Sequence, residues 1–361
     1  MNKPFLMNFN STYENLTTTI EDIDYRSHLV DILGINKLKR YGKLKHLVIF
    51  TRIDDPEIDY LGPYLLEKGI DYLRINAEQI FDFDFSLSID KELKGYIKRR
   101  NETWNISDID GIWFRHFTLD CVSWPFEDDL SRKYAVEQWN YFLSTISNLE
   151  NINYISKYNS TLTITKSIQL YQACKSGFEI PNTIVTNSLN SINNKFQGNF
   201  FAKAVKHHNI ETKPNFLDHV YGRELSKHQL EKETVNVAPT IIQNIVSNGT
   251  EIRVNVFGKY IESAEYKNVE SADWHDQGLY GFDIVPVEIP TYVKERIMKL
   301  MKILELKVGT VDLVKLKDSW IFYEINPNGD WKWLEQQSKQ KISDKCIKFL
   351  VEEMSNETVN E

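Results

Sequence analysis

Cysteine is scarce in this chain: Cys121, Cys174 and Cys346 lie far apart, with no CxxC pair. That spacing supports neither a disulfide framework nor a zinc cluster. No apolar run approaches the roughly 18 residues of a membrane-spanning helix, and the polar opening MNKPFLMNFNSTYEN lacks the apolar centre of a signal peptide. The cytoplasm is therefore the expected compartment. A nucleophile elbow with serine, histidine and aspartate is missing, as is GxxxxGK[ST], so a triad hydrolase or a P-loop enzyme has no support. The GxGxxG of a dinucleotide binder is also absent. There is no surplus of basic charge: the net charge of −8 argues against nucleic acid or an anionic membrane as the main partner, although a local basic groove is compatible with it.

The chain has 361 residues, 42% of them hydrophobic and 26% charged, which is ordinary for a globular protein of two or three domains with a sizeable core. Residues 1–40 are polar, weakly periodic and read as an N-terminal extension. From His46 onward the element types alternate. HLVIFT reads as a buried strand, Glu57 to Lys68 as a helix ending before Gly69, and Ile70 to Ile75 as a second strand, which is a βαβ start. Phe83 to Ile89 and Ile109 to Phe114 read as further strands. Arg132 to Leu149 places Ala135, Trp139, Phe142, Leu143 and Ile146 at helical spacing. This α/β domain spans 41–152. A central segment, 153–239, carries a helix at Lys166, a strand at Thr183 to Val185, a strand at Lys203 and an expected hairpin around Val220-Tyr221-Gly222. The last part, 240–361, contains the amphipathic helix Thr291 to Leu306, with Val293, Ile297, Leu300 and Leu304 on one face, and a closing helix near Ser343 to Met354.

Chemistry concentrates between Val308 and Asn326, VGTVDLVKLKDSWIFYEIN. Two strands joined through Lys317-Asp318-Ser319 would set Asp312 across from Glu324 and place Asn326 on the same side, because strand side chains alternate with a period of two. Val311, Leu313, Tyr323 and Ile325 would then form the apolar face. A connection of two residues would shift the pairing by one and send Asp312 to the other face. Three hard oxygen ligands favour magnesium, and magnesium held by one or two carboxylates usually also holds a nucleotide phosphate. Without further context, an exposed hairpin with two solvated acids is the simpler reading.

Context comes from a resemblance. DLV, a turn and YEINPNGDWKWLE are similar to the metal-binding end of an ATP-grasp ligase, most of all the microviridin-type or graspetide branch that modifies ribosomally made peptides. Further pieces follow in the order of that family. Lys166-Ser-Ile-Gln-Leu-Tyr-Gln-Ala173 leads to Gly177 and Ile180-Pro181-Asn182-Thr183, then come Phe200-Phe201-Ala202-Lys203 and Thr240 to Ile245, and last Glu251-Ile252-Arg253-Val254 before Phe257-Gly258-Lys259. The match covers roughly residues 46 to 340, and its specificity lies in the order of motifs. Two departures stand out. Asp273-Trp274-His275 occupies the place of the family's Asp-Trp-Arg, and AVKHHNIETKP after Lys203 has no glycine, so the usual glycine-rich phosphate loop is missing.

The resemblance implies an ATP-grasp fold of α/β class with a pre-ATP-grasp domain (41–152), a central subdomain that docks a leader peptide (153–239) and a C-terminal subdomain with the metal site (240–361). It implies ATP and Mg2+ as cofactors, with Lys166, Lys203, Gln243, Asn244, Ile245 and Glu251 on the nucleotide and Asp312, Glu324 and Asn326 on the metal. Arg253 is the expected electrophilic residue, with His275 as a second donor in place of the family arginine. Blander roles exist for several of these: a solvent-facing edge lysine for Lys203, a surface acid after a turn for Glu251, an exposed loop histidine for His275. Arg115 in WFRHF resembles an aromatic-arginine segment of the family and otherwise suits an ion pair across a domain interface. Trp331 and Trp333 either wall a substrate channel or pack as core. The implied activity is ATP-dependent activation of Asp or Glu side chains of a precursor peptide and closure of ester or amide links to Thr, Ser or Lys, giving a macrocycle. The rivals are an ATP-grasp ligase that adds a free amino acid such as glutamate to a protein or peptide, and a nucleotide-binding regulator without turnover. Oligomeric state is open, a homodimer among the options.

Overall fold

The computed structural model describes residues 11–12 and 44–355, apart from 92, 159, 207–208, 214–215, 220–221, 227–228, 230–234, 268–281 and 318. These residues form two compact units, one built from 44–160, 330–332 and 341–355, the other from 11–12, 161–329 and 333–340. No helix among the described residues is long and apolar enough to cross a membrane.

In the first unit, β1 (Lys45–Thr51), β2 (Ile70–Asn76), β3 (Gly111–Phe114) and β4 (Asn153–Ser156) form a parallel sheet in the order β2-β1-β3-β4. Leu47, Val48, Ile49 and Phe50 of β1 are all fully buried, as expected of a central parallel strand covered on both faces. The crossover helix α1 (Pro56–Glu67) begins with Pro56 and with Asp55, whose carboxylate accepts from the Ile58 N–H at 3.3 Å. It buries Ile58, Leu61, Leu65 and Leu66, and the chain leaves it through Gly69 at φ 78°. The long helix α2 (Asp129–Ile146) buries Leu143 and Ile146, while Trp139 and Phe142 pack half-buried against the same core. Phe83 to Ile89 does not continue the parallel sheet. Asp84–Ile89 pairs instead with Leu93–Arg99, and that strand with Glu102–Asn105, in a separate antiparallel sheet. Helix Ile342–Ser355 belongs to this unit too. A side chain at Gly111 would meet the Met354 sulfur at 2.7 Å, so glycine there allows the helix its close approach.

Charge is deeply buried in this unit. Arg115, just after β3, donates to Asp55 at 2.9 Å, approaches Glu57 at 3.1 Å and donates to Asp330 at 3.0 Å, with its guanidinium 4.5 Å from the Trp331 ring centroid. Glu57 accepts in turn from the backbone N–H groups of Trp331 and Lys332 at 2.8 and 2.9 Å. Arg115 thus pairs within one compact unit, to which residues 330–332 of the expected C-terminal part also belong. Burial raises the Glu57 carboxyl despite the attraction of Arg115. Burial also works against ionised Asp330, yet the His116 hydrogen bond and the Arg115 and Arg52 charges hold it below the usual carboxylate range. His116, 2.7 Å from Asp330, is pushed below 6.5 by burial and by Arg115.

The second unit holds two antiparallel sheets that matter for chemistry. β5 (Thr183–Thr186), β6 (Phe200–Lys203), β7 (Arg223–Leu225) and β8 (Thr240–Gln243) run in the order β7-β6-β8-β5. β9 (Thr250–Phe257), β10 (Tyr260–Lys267), β11 (Asp283–Pro286), β12 (Val308–Lys315) and β13 (Trp320–Asn326) run in the order β11-β10-β9-β12-β13. Helices α3 (Lys166–Ser176) and α4 (Thr291–Ile303) share a core with the five-stranded sheet, where Leu170, Ala173, Val293, Ile297 and Leu300 meet Val254, Val311, Leu313 and Phe322. The hairpin expected around Val220-Tyr221-Gly222 falls largely outside the described residues. Residues 220–221 lie outside the described set, and the flanking strands Phe216–His219 and β7 belong to different sheets.

Removing Arg115 takes the shared cation from Asp55, Glu57 and Asp330, of which Asp330 keeps Arg52, and losing one partner of a buried pair costs roughly 3–5 kcal/mol. Arg115→Ala is expected to lower the calorimetric unfolding temperature by several degrees, and an unchanged thermogram would contradict this role. Because His116 is depressed in the folded state, it binds protons more readily unfolded, so its contribution to stability is present above pH 6.5 and lost as pH falls below it. His116→Asn should flatten the decline of unfolding temperature between about pH 7 and pH 5.

Candidate functional site

The hairpin β12–β13 sets the site. Asp312 stands opposite Glu324 and Thr310 opposite Asn326, the partnership expected from sequence. The route to it is different. The connection closes one residue tighter, with the Leu316 N–H donating to the Ser319 carbonyl at 2.9 Å and Lys315 facing Trp320. Continued without interruption, that register would put Tyr323 across from Asp312. A bulge intervenes: Leu313 faces Phe322, the next pair is Asp312 with Glu324, and Tyr323 is the extra residue. Phe322 therefore takes the core place given to Tyr323 by simple alternation and packs with Val311, Leu313 and Ile325. Tyr323 is only half-buried, and its phenol is raised by burial and then by the nearby Glu251 carboxylate.

Three cations meet the two acids. Lys166, the first residue of α3, has its Nζ 3.0 Å from Glu324 Oε2, and Lys203, the last of β6, has its Nζ 4.0 Å from the same oxygen. Lys203 is therefore not a solvent-directed edge lysine, since its side chain is 13% exposed and turned toward an acid. Arg253 pairs with Asp312 across β9–β12 and donates from Nη1 to both carboxylate oxygens, at 3.1 and 3.3 Å. Three elements far apart in sequence thus bring their positive ends to one acidic pair, whose oxygens would otherwise repel.

The donor set can be weighed as a metal site. Asp312, Glu324 and Asn326 offer hard oxygen atoms on one strand pair, with neither sulfur nor imidazole among them, which suits Mg2+ and argues against Zn2+. Among the described residues no group of three or more His, Cys, Asp or Glu converges, in keeping with a site that has two carboxylates and relies on an amide and on ligand oxygens for the rest. Asn326 ends β13 exposed.

Of the other expected residues, Gln243 is buried at the end of β8 and donates from Nε2 to Thr183 Oγ1 at 3.0 Å, so its side chain is used internally. Asn244 donates its N–H to the Asn182 carbonyl at 3.0 Å, and Ile245 follows beyond the strand end. Glu251 lies two residues before Arg253 on the same face of β9, and its charge helps raise the phenols of Tyr266 and Tyr323. It is half-buried there. His275 falls outside the described residues.

Several neighbours of these residues were not legible as such. The phenol of Tyr266 on β10 is raised first by burial, with Asp312 and Glu251 adding to the effect and the Arg253 charge opposing it. Trp333 lies with its ring centroid 5.6 Å from the Arg253 guanidinium and 6.2 Å from the Tyr266 ring, so the arginine rests on an aromatic face. Trp331 packs instead on Arg115 in the first unit. Asn255, fully buried, accepts from Thr310 Oγ1 at 2.9 Å and extends the polar row beside Arg253. Only the alternation of Arg253 with Asn255 along β9 hinted at this row.

No family model matches the chain, and no curated protein does. Solved structures do. A RiPP-associated ATP-grasp ligase from Chryseobacterium gregarium, in complex with ADP and a leader and core peptide, is 21% identical, with 88% of this chain and 100% of that one covered and a TM-score of 0.74. The macrocyclase MdnC from Microcystis aeruginosa MRC, bound with precursor peptide MdnA, is 19% identical over 85% of this chain and 99% of its own, also at 0.74. The ATP-grasp ligase PsnB, complexed with a phosphomimetic variant of its minimal precursor, Mg and ADP, is 15% identical over 86% and 99%, at 0.67. At such identities the likeness is one of backbone architecture, and over most of its length this chain has the fold of the ATP-grasp ligases.

Proposed function

We propose that the protein is an ATP-dependent, ADP-forming carboxylate ligase that closes ester or amide links within a ribosomally made precursor peptide. The observation that carries this reading is the convergence of Lys166, Lys203 and Arg253 on the acids Asp312 and Glu324 within an ATP-grasp fold. Three cations gathered at one cross-strand pair suit a triphosphate. The peptide complexes among its structural neighbours support the choice of substrate class.

In this reading β5–β8 with α3 make up the central subdomain, which extends past the expected end at 239 because β8 pairs with β5 and β6, β9–β13 with α4 make up the C-terminal one, and residues 41–152 the pre-ATP-grasp domain. Lys166 and Lys203 exchange Glu324 for phosphate oxygens, and the main chain at Asn244 and Ile245, past the Asn244 N–H that is bonded to Asn182, takes the adenine, with the Gln243 side chain engaged with Thr183. Glu251 is placed for the ribose hydroxyls. Asp312, Glu324 and Asn326 would hold Mg2+, which supplies neutralisation of the phosphate charge. A substrate carboxylate attacks the γ-phosphorus in line and ADP leaves. A Thr, Ser or Lys group of the same peptide then displaces phosphate from the acyl carbon. Arg253, held against Trp333 and Tyr266, offers its guanidinium to the developing oxyanion, a task for which a planar, permanently charged donor is well matched. His275 is the second candidate donor. The leader segment docks on the central subdomain, and the cytoplasm is the proposed compartment.

Incubation with ATP, Mg2+ and a candidate precursor, a short peptide with a core rich in Thr, Asp and Glu, should release ADP and lower the peptide mass by one water per ring. A mass gain on adding free glutamate would replace this reading with amino-acid ligation, and no ADP release from any such peptide would favour a regulator. Arg253→Met is expected to lower kcat roughly 10²–10³-fold with KM for ATP little changed. Lys203→Ala, which removes a charge-assisted hydrogen bond of about 1.5–3 kcal/mol, should instead raise KM for ATP roughly 10- to 100-fold. Steady-state kinetics separates the two, and an Arg253 variant of undiminished kcat would refute the role given to it.

A further inference from the structure

The proposed metal ligands face one another only because β13 is bulged, and one side chain outside the ligand set holds that bulge. As the edge strand of its sheet, β13 directs every second N–H away from β12, and each needs an acceptor when buried. Before the bulge the outward donor is Phe322, whose N–H is taken by the Glu179 carbonyl at 2.8 Å. With strict alternation the next outward amides would be those of Glu324 and Asn326. The extra residue Tyr323 changes the parity, and Ile325 becomes the outward donor. Its N–H is received by Gln169 Oε1 at 2.9 Å. Gln169 is 4% exposed and fixed at its other end, where Nε2 donates to the Ile164 carbonyl at 3.1 Å. It lies one turn after Lys166 on α3, so the helix that brings a lysine to Glu324 also grips the backbone of the next residue.

We propose that Gln169 is a positioning residue for the metal and triphosphate site. It accepts the one amide that points outward only in the bulged register and thereby keeps Glu324 beside Asp312. An unbulged strand would leave the Gln169 carbonyl facing a position without a donor and the Glu324 side chain out of step with Asp312. This inference rests on the ligase reading and adds to it the residue that sets its ligand geometry.

The test uses the full chain and two measurements, hydrogen exchange at the Ile325 amide and the Mg2+ concentration that half-saturates binding of a non-hydrolysable ATP analogue. Gln169→Leu, which removes the acceptor, is expected to speed Ile325 exchange and to raise the Mg2+ requirement roughly 10- to 100-fold, as is usual when an outer partner of a metal ligand is lost. Gln169→Asn, one methylene too short to reach, carries the same expectation should the leucine variant fail to fold. Gln169→Glu keeps an acceptor for the Ile325 amide but loses the donor to Ile164, so it should protect Ile325 from exchange better than Gln169→Leu does, which a general packing role would not produce. Unchanged exchange in Gln169→Leu, or faster exchange with the wild-type Mg2+ requirement, overturns the inference and leaves the ligase reading standing. Analogue binding by the wild-type protein that ignores Mg2+ overturns the ligase reading itself and the metal-positioning role with it.

Discussion

Two carboxylates side by side on neighbouring strands are the constraint around which the second unit is organised. Like charges about 4 Å apart repel by about 4 kcal/mol near a protein surface, so Asp312 and Glu324 can share a position in the ladder only if cations attend them. Those cations come from three separate elements: Lys166 from the start of α3, Lys203 from the end of β6 and Arg253 from β9. The placement of a helix and of a second sheet is thereby tied to a single cross-strand pair. In the proposed function Lys166 and Lys203 exchange their anionic partner for phosphate oxygens.

The first unit solves a related problem with a different outcome. Arg115 is surrounded by Asp55, Glu57 and Asp330 and lies against Trp331, almost wholly out of water. Buried charge of this kind contributes little net stability compared with an apolar replacement, but it is costly to break and it specifies geometry. Here it ties the loop after β1, the loop after β3 and residues 330–332 together, segments that no apolar contact would join so uniquely. Glu57 accepts two backbone amides in the same cluster, so its carboxylate serves the main chain as well as Arg115.

How much of this could be read beforehand depends on the range of the interaction. The βαβ start, the apolar stripe of α4 and the partnership of Asp312 with Glu324 follow from periodicity and chain proximity, and the structure has them. The convergence of Lys166 and Lys203 on Glu324 spans well over a hundred residues, and only likeness to a known order of motifs pointed to it. The apolar face of β13 was misassigned at one position. Alternation put Tyr323 with Ile325, whereas the bulge turns Phe322 inward, and nothing local in WIFYEIN announces an extra residue. The pairing nevertheless came out as expected, because a tighter turn and a bulge shift the register in compensating ways.

The sequence by itself determined most element types, the apolar faces outside the bulged strand and the stock of oxygen ligands and cations, because these depend on residue chemistry at spacings of two to four. Only the tertiary structure decided which cation meets which acid, that Arg115 is enclosed by acids from distant segments, and that Gln169 grips the Ile325 amide. Those pairings depend on loop closure and on the parity of one bulged strand. A shift of a single residue there changes every contact while leaving the composition of each element unaltered.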